Sequence, residues 1–294
     1  MKKFLRHIAL FLLPLLIIAV ALEFVAESIP NSYTYKRDYL KQHGQQIRTL
    51  LLGSSNAYDG LNPTVLPNAF NLSNSSQTLE DDYRLLAKCI DSMDSLQTVI
   101  VGLGYHSLEA TTEDNRRTYY TIYMDLYPRW PISKYSFEVC NPEMLVKKII
   151  KYGVSRDVTR CDSLGQRVGH TKEAAESGAE WWNKDMLSLV ENDKLQIADC
   201  RLDIEENTQY LHAIVDLCNA HNVQPIIVLM PVMEGYKRLL PVEQVVLYED
   251  LLQSLDSVAI CIDASEWEIP DDGWYNATHL TKEASEEFTR RLLH

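Results

Sequence analysis

Short apolar runs alternate along the chain with segments of helical periodicity. The runs cover residues 49–52, 69–72, 98–103, 225–230 and 258–262. Between them, apolar positions recur every three or four residues, first at Tyr83, Leu86, Ala87 and Ile90, and again at Leu211, Ile214, Val215 and Cys218. Continuous short runs are typical of strands that are buried on both faces. The alternation therefore predicts an α/β fold with a parallel sheet and right-handed crossovers.

The N-terminus has the pattern of a targeting or anchoring segment. Three basic residues, Lys2, Lys3 and Arg6, precede a run at 8–26 that is apolar except for Glu23. A cleaved signal peptide would use Ala19-Val20-Ala21 as its small-residue site, whereas an uncleaved anchor would keep the whole run. We favour the anchor because the run continues past that site and approaches the ~20 residues that a spanning helix needs. The basic flank places the rest of the chain outside the cytoplasm.

These features predict three regions: an anchor at 1–30, a juxtamembrane linker at 31–46 and one α/β domain at 47–294. Residues from about 105 to 200 interrupt the strand and helix rhythm of that domain and are rich in aromatics. Two interpretations stay open: the rings cap the active site and stack on sugars or acyl chains, or they form the insertion's own small core. A surface helix is predicted at 172–186. The aromatic residues are Tyr119, Tyr120, Tyr123, Tyr127, Trp130, Tyr135, Phe137, Trp181 and Trp182.

Composition and cysteine spacing exclude some classes of function. The chain has 294 residues and a formal net charge of -13, which argues against nucleic acid as a partner, since phosphate backbones are bound by clustered Lys and Arg. The six cysteines form no CxxC pair, so no zinc site is indicated. In an oxidising compartment Cys140, Cys161 and Cys200 could pair. The other three, Cys89, Cys218 and Cys261, are predicted to be buried thiols.

A serine and a histidine stand at matching ends of the predicted sheet. Gly53 permits a tight turn after the strand at 49–52, and Ser55 follows it. His279 lies beyond the last strand, just before a helix that Thr281 could cap. Ligands bind beyond the carboxyl ends of parallel strands, so both residues are expected at one edge. A serine hydroxyl needs a base within hydrogen-bond reach to act as a nucleophile, and His279 is the candidate.

The chain resembles the SGNH (GDSL-type) hydrolases at four blocks between Arg48 and the C-terminus. The family's Gly-Asp-Ser block corresponds to Gly53-Ser54-Ser55, which implies Ser55 as the nucleophile. Its Asp-x-x-His block corresponds to Asn276-Ala277-Thr278-His279 and keeps the histidine but not the acid. The resemblance implies a three-layer, flavodoxin-like fold with a parallel sheet, here preceded by a transmembrane helix. It implies no metal and no organic cofactor.

The two middle blocks concern the oxyanion hole. The family's Asn and following Gly resemble the segment 71–78, where Ser76 occupies the glycine's place. The Gly-x-Asn-Asp block resembles 104–107, where His106 replaces the Asn. The resemblance therefore implies oxyanion donors at the backbone N–H groups of Ser55 and Ser76, with His106 as a further donor. Ser76 costs little unless the turn demands a positive φ, because any residue except proline supplies an N–H.

Asn276 is the departure with the largest chemical consequence. An amide does not stabilise an imidazolium electrostatically, and its N–H₂ group can select the wrong histidine tautomer. In serine proteases, which are different proteins, changing the triad Asp to Asn costs ~10⁴ in rate. A backbone carbonyl or another carboxylate could orient His279 instead. Asp263, Asp271 and Asp272 lie close to it in sequence and are the candidates.

Two functional hypotheses follow. Gly-Ser-Ser after an N-terminal anchor is similar to the cell-envelope branch of the family, which includes D-alanyl-lipoteichoic-acid transfer and alginate acetylation proteins. The first hypothesis is an extracytoplasmic esterase or acyltransferase that acts on acyl groups of envelope polysaccharide, with a membrane acyltransferase as a further partner. The second is a catalytically impaired fold that binds polymer or serves as an assembly subunit. An unrelated α/β protein would instead keep Ser55 and His279 far apart.

Overall fold

The computed structural model describes residues 1–112, 114–155, 159–177 and 201–292. These residues form two compact units: Met1–Asp38 with Glu113–Arg160, and Tyr39–Thr112 with Cys161–His294. The predictions for Trp181, Trp182 and Cys200, and for the second half of the helix at 172–186, fall outside the described residues. Each unit is described by itself.

The second unit contains a five-stranded parallel sheet, as predicted. Its strands are β1 (Thr49–Gly53), β2 (Ala69–Asn71), β3 (Thr98–Leu103), β4 (Gln224–Leu229) and β5 (Ile260–Asp263). The strand order is β2-β1-β3-β4-β5, and every neighbouring pair is parallel. This is the flavodoxin-like order, which puts the carboxyl ends of β1 and β3 side by side at the topological switch point.

Helices follow the strands in the arrangement that right-handed crossovers produce. In this unit they are α3 (Ser55–Gly60), α4 (Leu79–Cys89), α7 (Lys172–Ser177), α8 (Arg201–Ala220), α9 (Glu234–Lys237), α10 (Val242–Leu255) and α11 (Lys282–Arg291). The helix after β1, α3, packs against α11 after β5, whereas α4 packs against α8. In this strand order, the connection from β1 to β2 runs across the sheet in the opposite direction to the connections that follow it. Right-handed crossovers therefore place α3 and α11 on one face of the sheet and α4 and α8 on the other.

Local signals in the sequence determine several helix boundaries. Thr78 and Asp81 form the predicted capping box at the start of α4, and the Thr281 side chain accepts from Ala284 N–H at the start of α11. Between β5 and α11, a small antiparallel ribbon pairs β6 (Trp274–Asn276) with β7 (His279–Leu280). This ribbon carries the last of the four sequence blocks.

The first unit contains α1 (Lys2–Ser28), α5 (Asp114–Tyr123), α6 (Pro142–Ser155) and the start of α2 (Ser32–His43). Residues 31–46, predicted as a linker, are therefore largely helical. Tyr33 packs on the rings of Tyr119 and Tyr120 with centroids 5.2 and 5.0 Å apart. Tyr120 and Tyr123 are buried. These contacts favour a structural role for Tyr119, Tyr120 and Tyr123, which pack in a small core that also includes Tyr33, whereas Trp130 is exposed.

α1 is long and apolar enough to cross a membrane, over Arg6–Ser28 with a mean hydropathy of 2.8. Cys89 and Cys218 are buried thiols, as predicted, whereas Cys261 is partly exposed. Cys140, a candidate for pairing from its sequence position, is an exposed free thiol, and Cys161 is partly exposed. The prediction of a pairing cysteine at 200 concerns a residue outside the described part of the chain.

Candidate active site

Ser55 stands at the turn from β1 into α3. Gly53 has φ +129°, and a Cβ at this position would lie 2.4 Å from the carbonyl oxygen of Gly102. Only glycine fits this close approach of two strands, so Gly53 fixes where the chain leaves the sheet. Ser54 then caps the helix and is buried, and Ser55 is its first residue and is partly exposed. Among the described residues, none makes a hydrogen bond to the Ser55 hydroxyl.

Hydrogen bonds tie this turn to the histidine block. Asn56 is buried, and its Nδ2 donates to the carbonyl of Thr278 over 2.7 Å. The Ser54 hydroxyl donates to Asn56 Oδ1 over 3.2 Å and holds that amide in place. α3 packs directly on β7, the short strand that begins at His279. The two outer blocks, 222 positions apart at this contact, therefore meet at one edge of the sheet, which argues against the unrelated-protein hypothesis.

Asn276 orients His279 through its oxygen. His279 Nδ1 lies 2.8 Å from Asn276 Oδ1, and the backbone N–H of Thr278 donates to the same oxygen over 3.0 Å. A backbone N–H only donates, so the Asn276 atom that faces it is the amide oxygen. The oxygen then accepts from Nδ1–H of His279, and the lone pair of the imidazole lies on Nε2. The concern that Asn276 selects the wrong tautomer is therefore not supported by this geometry.

The carboxylate next to His279 is one that the sequence pattern did not indicate. Asp59 lies on α3, one turn after Ser55, and its side chain is 1% exposed. Asp59 Oδ2 is 3.8 Å from His279 Nε2, 3.2 Å from His170 Nδ1, and the other oxygen is 3.1 Å from Arg167 Nε. Asp59 stands four residues after Ser55, and residues four apart share one helix face. This spacing was the sequence signal that could have indicated Asp59 as a residue of the site.

The three carboxylates proposed from sequence do not occupy this position. Asp263 accepts from the backbone N–H of Ser265 over 2.9 Å, and Asp272 forms an ion pair with Lys172. The described side-chain contacts of His279 are with Asn276, Thr278, Asp59 and the ring of His170, and Asp271 is not among them. Proximity in sequence was misleading here, because the 3-10 turn at Asp271–Gly273 precedes β6 at its far end from His279.

A segment of the same unit, residues 166–170, completes the surroundings of Asp59. The backbone N–H of Arg167 donates to the carbonyl of Tyr58, and Gln166 Nε2 donates to the carbonyl of Asp59 over 3.1 Å. The His170 ring stacks on Tyr275 at a centroid distance of 3.7 Å. Arg167 also donates to the Ser75 hydroxyl, next to the oxyanion candidate Ser76. Arg167 and His170 were not predicted, because no helical or strand pattern placed them.

Burial lowers the pKa of His279 to about 4. The main cause is desolvation, which disfavours the charged imidazolium. Attraction to Asp59 raises the pKa in part, and Coulombic repulsion from Arg167, His170 and His106 lowers it further. His279 is consequently a neutral imidazole at pH 7, which is the form that accepts a proton.

This shift predicts an unusual pH profile. For an enzyme that uses His279 as its base, the acidic limb of kcat/KM reports the pKa of the free enzyme. We expect that limb near pH 4 instead of the ordinary histidine range of about 6.5. The measurement is the initial rate of aryl acetate hydrolysis from pH 3.5 to 8. A kcat/KM that decreases with an apparent pKa between 6 and 7 would contradict the assignment of the buried His279 as the base.

The oxyanion candidates lie at the neighbouring strand ends. Ser76 has φ +53°, so the turn adopts a left-handed conformation, which is the exception stated for the low cost of a serine at this position. Left-handed backbone costs a non-glycine residue roughly 1–2 kcal/mol. The His106 ring packs against Gly104, since a Cβ there would lie 2.7 Å from His106 Cε1 and 2.9 Å from Asn56 Oδ1. His106 therefore lies beside the Ser54–Asn56 turn, and its role as a donor stays a prediction.

Asp82 joins the first two blocks. Its Oδ1 accepts from Gly53 N–H over 3.0 Å and from Gln77 Nε2 over 2.5 Å. Complete burial raises the pKa of this carboxyl to about 7, although both hydrogen bonds lower it in part. Asp82 thus holds the Ser76 turn against the end of β1, and sequence reasoning did not identify it.

A cavity of about 890 Å³ opens beside the histidine turn. Its wall includes Met233, whose backbone N–H donates to Ala277 over 2.8 Å, and Trp274 of β6. Trp267, Lys237 and Arg238 line it as well. Within the described residues, no group of three His, Cys, Asp or Glu side chains has the geometry to hold a metal ion.

No protein-family model and no curated protein sequence matches this chain. Two solved structures are similar to it. A Bacteroides fragilis protein provisionally described as an acylhydrolase has 8% identity and a TM-score of 0.41, with 87% of this chain and 91% of that chain covered. A GDSL-like lipase from Bacteroides thetaiotaomicron has 9% identity and a TM-score of 0.42, with 89% and 96% covered.

Proposed function

We propose that this chain is an SGNH-type serine esterase or acyltransferase. One observation carries the proposal: His279 keeps Nδ1 on the Asn276 oxygen and turns Nε2 toward α3, the helix that begins at Ser55. A histidine held in this tautomer, on a strand that packs against the helix of a partly exposed serine, provides the base and the nucleophile that nucleophilic catalysis needs.

The first chemical step transfers the acyl group to Ser55. The Ser55 Oγ attacks the ester carbonyl carbon, and its proton moves to His279 Nε2. The C–O bond of the leaving alcohol then breaks, and the alcohol oxygen takes the proton back from Nε2. Water as the second nucleophile completes hydrolysis, whereas a sugar hydroxyl completes transfer. The serine to histidine hydrogen bond forms in this scheme when substrate is bound, since such bonds are often long in the free enzyme.

Asp59 supplies the negative charge that Asn276 lacks. The imidazolium that forms during attack carries its charge 3.8 Å from Asp59 Oδ2. In a buried site with little water, a carboxylate at this distance favours the charged imidazole. Arg167 pairs with the other Asp59 oxygen and holds the carboxylate in place beside the imidazole. The orienting and the electrostatic functions of a triad acid are thus divided between Asn276 and Asp59.

The oxyanion is held in this proposal by backbone N–H groups. Those of Ser55 and Ser76 lie at the ends of neighbouring strands, and Asp82 fixes the distance between the two turns through Gly53 and Gln77. Fixed donors stabilise developing charge without reorganisation. His106, beside Gly104, is proposed as an additional donor.

The substrate and location are proposed on chemical grounds. The apolar α1 with its basic flank supports an anchored protein whose remaining residues face away from the cytoplasm. An anchored esterase outside the membrane meets acylated envelope polysaccharide, for example O-acetylated polymer. The cavity beside the histidine turn offers Trp267 for stacking and Lys237 and Arg238 for hydroxyl or carboxylate groups of such a polymer. A membrane acyltransferase is a fitting source of acyl groups.

A second candidate is a catalytically impaired, polymer-binding or assembly subunit. Two observations favour it: an amide at position 276 and a Ser55 hydroxyl without a hydrogen-bond partner among the described residues. Kinetics on small esters separate the two candidates, because binding subunits of this kind would show no serine-dependent turnover.

Ester hydrolysis by matched serine variants tests the proposal. We expect the full chain to hydrolyse p-nitrophenyl acetate, and Ser55→Ala to lose at least about 10³-fold in kcat/KM because the nucleophile is removed. Ser54→Ala is the matched control; it keeps the Ser55 hydroxyl and removes the 3.2 Å hydrogen bond to Asn56 Oδ1, so its loss should be far smaller than that of Ser55→Ala. Equal rates for wild type and Ser55→Ala would eliminate the enzyme hypothesis in favour of the second candidate.

A further inference from the structure

α1 contacts the rest of its own unit through its C-terminal turns. Its apolar side chains from Ile8 to Val25 are largely exposed, whereas Ala26 and Ile29 are buried. Glu23 is the only acidic residue of the apolar run, and its two carboxylate oxygens accept from the backbone N–H groups of Glu138 and Val139 over 2.9 and 3.0 Å. The packed part of the unit therefore begins at the last turns of the run.

This level coincides with the end of a bilayer's hydrocarbon core. The run at 8–26 would be about 28 Å long at 1.5 Å per residue, close to the ~30 Å thickness of that core. If α1 crosses the membrane, the contacts of Glu23 and Ala26 fall at the headgroup region. Elements that form hydrogen bonds or ion pairs with Glu138 would then also lie at the depth of the headgroup region.

α6 is one of these elements and exposes an apolar face. Lys148 of α6 donates to Glu138 Oε1 over 2.6 Å, and Leu145 is buried. On the outer face, Val146, Ile150 and Val154 follow at intervals of four residues and are 53% to 84% exposed. Helical residues four apart lie on one face. We refer to these three residues as the α6 stripe; Lys147 lies next to it.

A loop on the same unit exposes a tryptophan at the same depth. Arg129 forms an ion pair with Glu27 of α1 at 3.2 Å and donates to the carbonyl of Ile122. The next residue, Trp130, is 75% exposed, and Ile132 is also exposed. Tryptophan is enriched where membranes meet water, since its ring is apolar and its N–H is polar.

We propose that the α6 stripe, Trp130 and Ile132 lie in the headgroup region of the bilayer that α1 crosses. This inference rests on the anchoring part of the proposed function. Lipid is the occupant that the structure favours, because these residues share their depth with the end of α1, whose own apolar side chains also need a lipid phase.

Depth-dependent fluorescence quenching tests the loop. The full chain is reconstituted in phosphatidylcholine vesicles, with and without bromine on the shallow acyl carbons. The emission of Trp130 is obtained as the difference between wild type and Trp130→Phe. We expect this difference signal to fall by about twofold or more in brominated vesicles, as for an interfacial tryptophan. An unquenched difference signal would show that Trp130 faces water and overturn the inference for the loop.

A second pair of variants tests α6. In the Trp130→Phe background, Ile150→Trp adds a reporter to the stripe, and Lys147→Trp adds one beside it at a position whose side chain is 74% exposed. We expect stronger quenching and bluer emission at 150 than at 147. Equal, unquenched emission from the tryptophans at 150 and 147 would contradict the proposal that the α6 stripe contacts lipid, but it would not contradict the proposal that α1 anchors the chain. If the full chain does not remain with the vesicles, both the membrane anchor and the lipid contact of the α6 stripe are contradicted. The failure of the anchor is therefore distinguishable from the failure of the stripe alone.

Discussion

His279→Gln is expected to reduce kcat/KM for p-nitrophenyl acetate by about 10⁴-fold, which is the scale typical for loss of a catalytic triad member. The reason is that His279 is the imidazole whose Nδ1 is held by Asn276 and whose Nε2 faces α3, and glutamine does not accept the Ser55 proton. The residual rate should also lose the acidic limb near pH 4, because the group that titrates there has been removed. Steady-state kinetics from pH 3.5 to 8 measure both effects.

His170→Gln is the matched control for this variant. His170 is the second imidazole in contact with Asp59, at 3.2 Å, but it stacks on Tyr275 instead of facing the serine helix through a bond to Asn276. We expect its kcat/KM to stay within about tenfold of wild type, because the variant removes a neighbouring imidazole without removing the base. Comparable losses in both variants would mean that the cluster acts through stability alone, and the assignment of His279 as the base would then be wrong.

Asn276→Asp is expected to increase activity. A carboxylate at this position would accept the same Nδ1–H bond and add a negative charge next to the imidazolium that forms during attack. We expect a gain of roughly 10- to 100-fold in kcat/KM, equivalent to about 1.4 to 2.7 kcal/mol of transition-state stabilisation. The gain is smaller than the ~10⁴ effect known for serine proteases, because the Asn276 oxygen already selects the correct tautomer and Asp59 already supplies a charge.

The direction of the pH shift checks the same variant independently. A second nearby anion favours the charged imidazole and raises the pKa of His279, so the acidic limb should move upward from about pH 4. Asn276→Ala is the control: it removes the acceptor without adding charge and should lower the rate. An Asn276→Asp protein with neither a faster rate nor a higher limb would contradict the division of roles between Asn276 and Asp59.

The sheet was predictable from sequence because its strands are buried on both faces. The run at 98–103 matches β3, and the other runs agree with their strands within two residues at each end, since continuous apolar runs bounded by turn residues have few alternatives. The meeting of α3 with the His279 turn was predictable for the same reason: parallel strands bring their carboxyl ends to one edge. Family resemblance then supplied the roles of Ser55 and His279.

The surroundings of His279 were not predictable in the same way. Asp59 has the charge of an ordinary surface residue on a short helix, and the packing of Gln166, Arg167 and His170 over α3 contributes to its burial. Those three residues lie in a stretch without helical or strand periodicity, so no pattern placed them at the site. The left-handed conformation of Ser76 was hidden too, because serine gives no signal for a positive φ.

The most direct test of Ser55 as the nucleophile is covalent labelling of the full chain with a fluorophosphonate probe, followed by digestion and mass spectrometry of the modified peptide. We predict one phosphonylated residue, Ser55, with labelling lost in Ser55→Ala, strongly slowed in His279→Gln and kept in Ser54→Ala. Phosphonylation requires an activated serine, so the result does not depend on knowing the natural ester. Absence of labelling, or labelling at a serine other than Ser55, would contradict the assignment of Ser55 as the nucleophile.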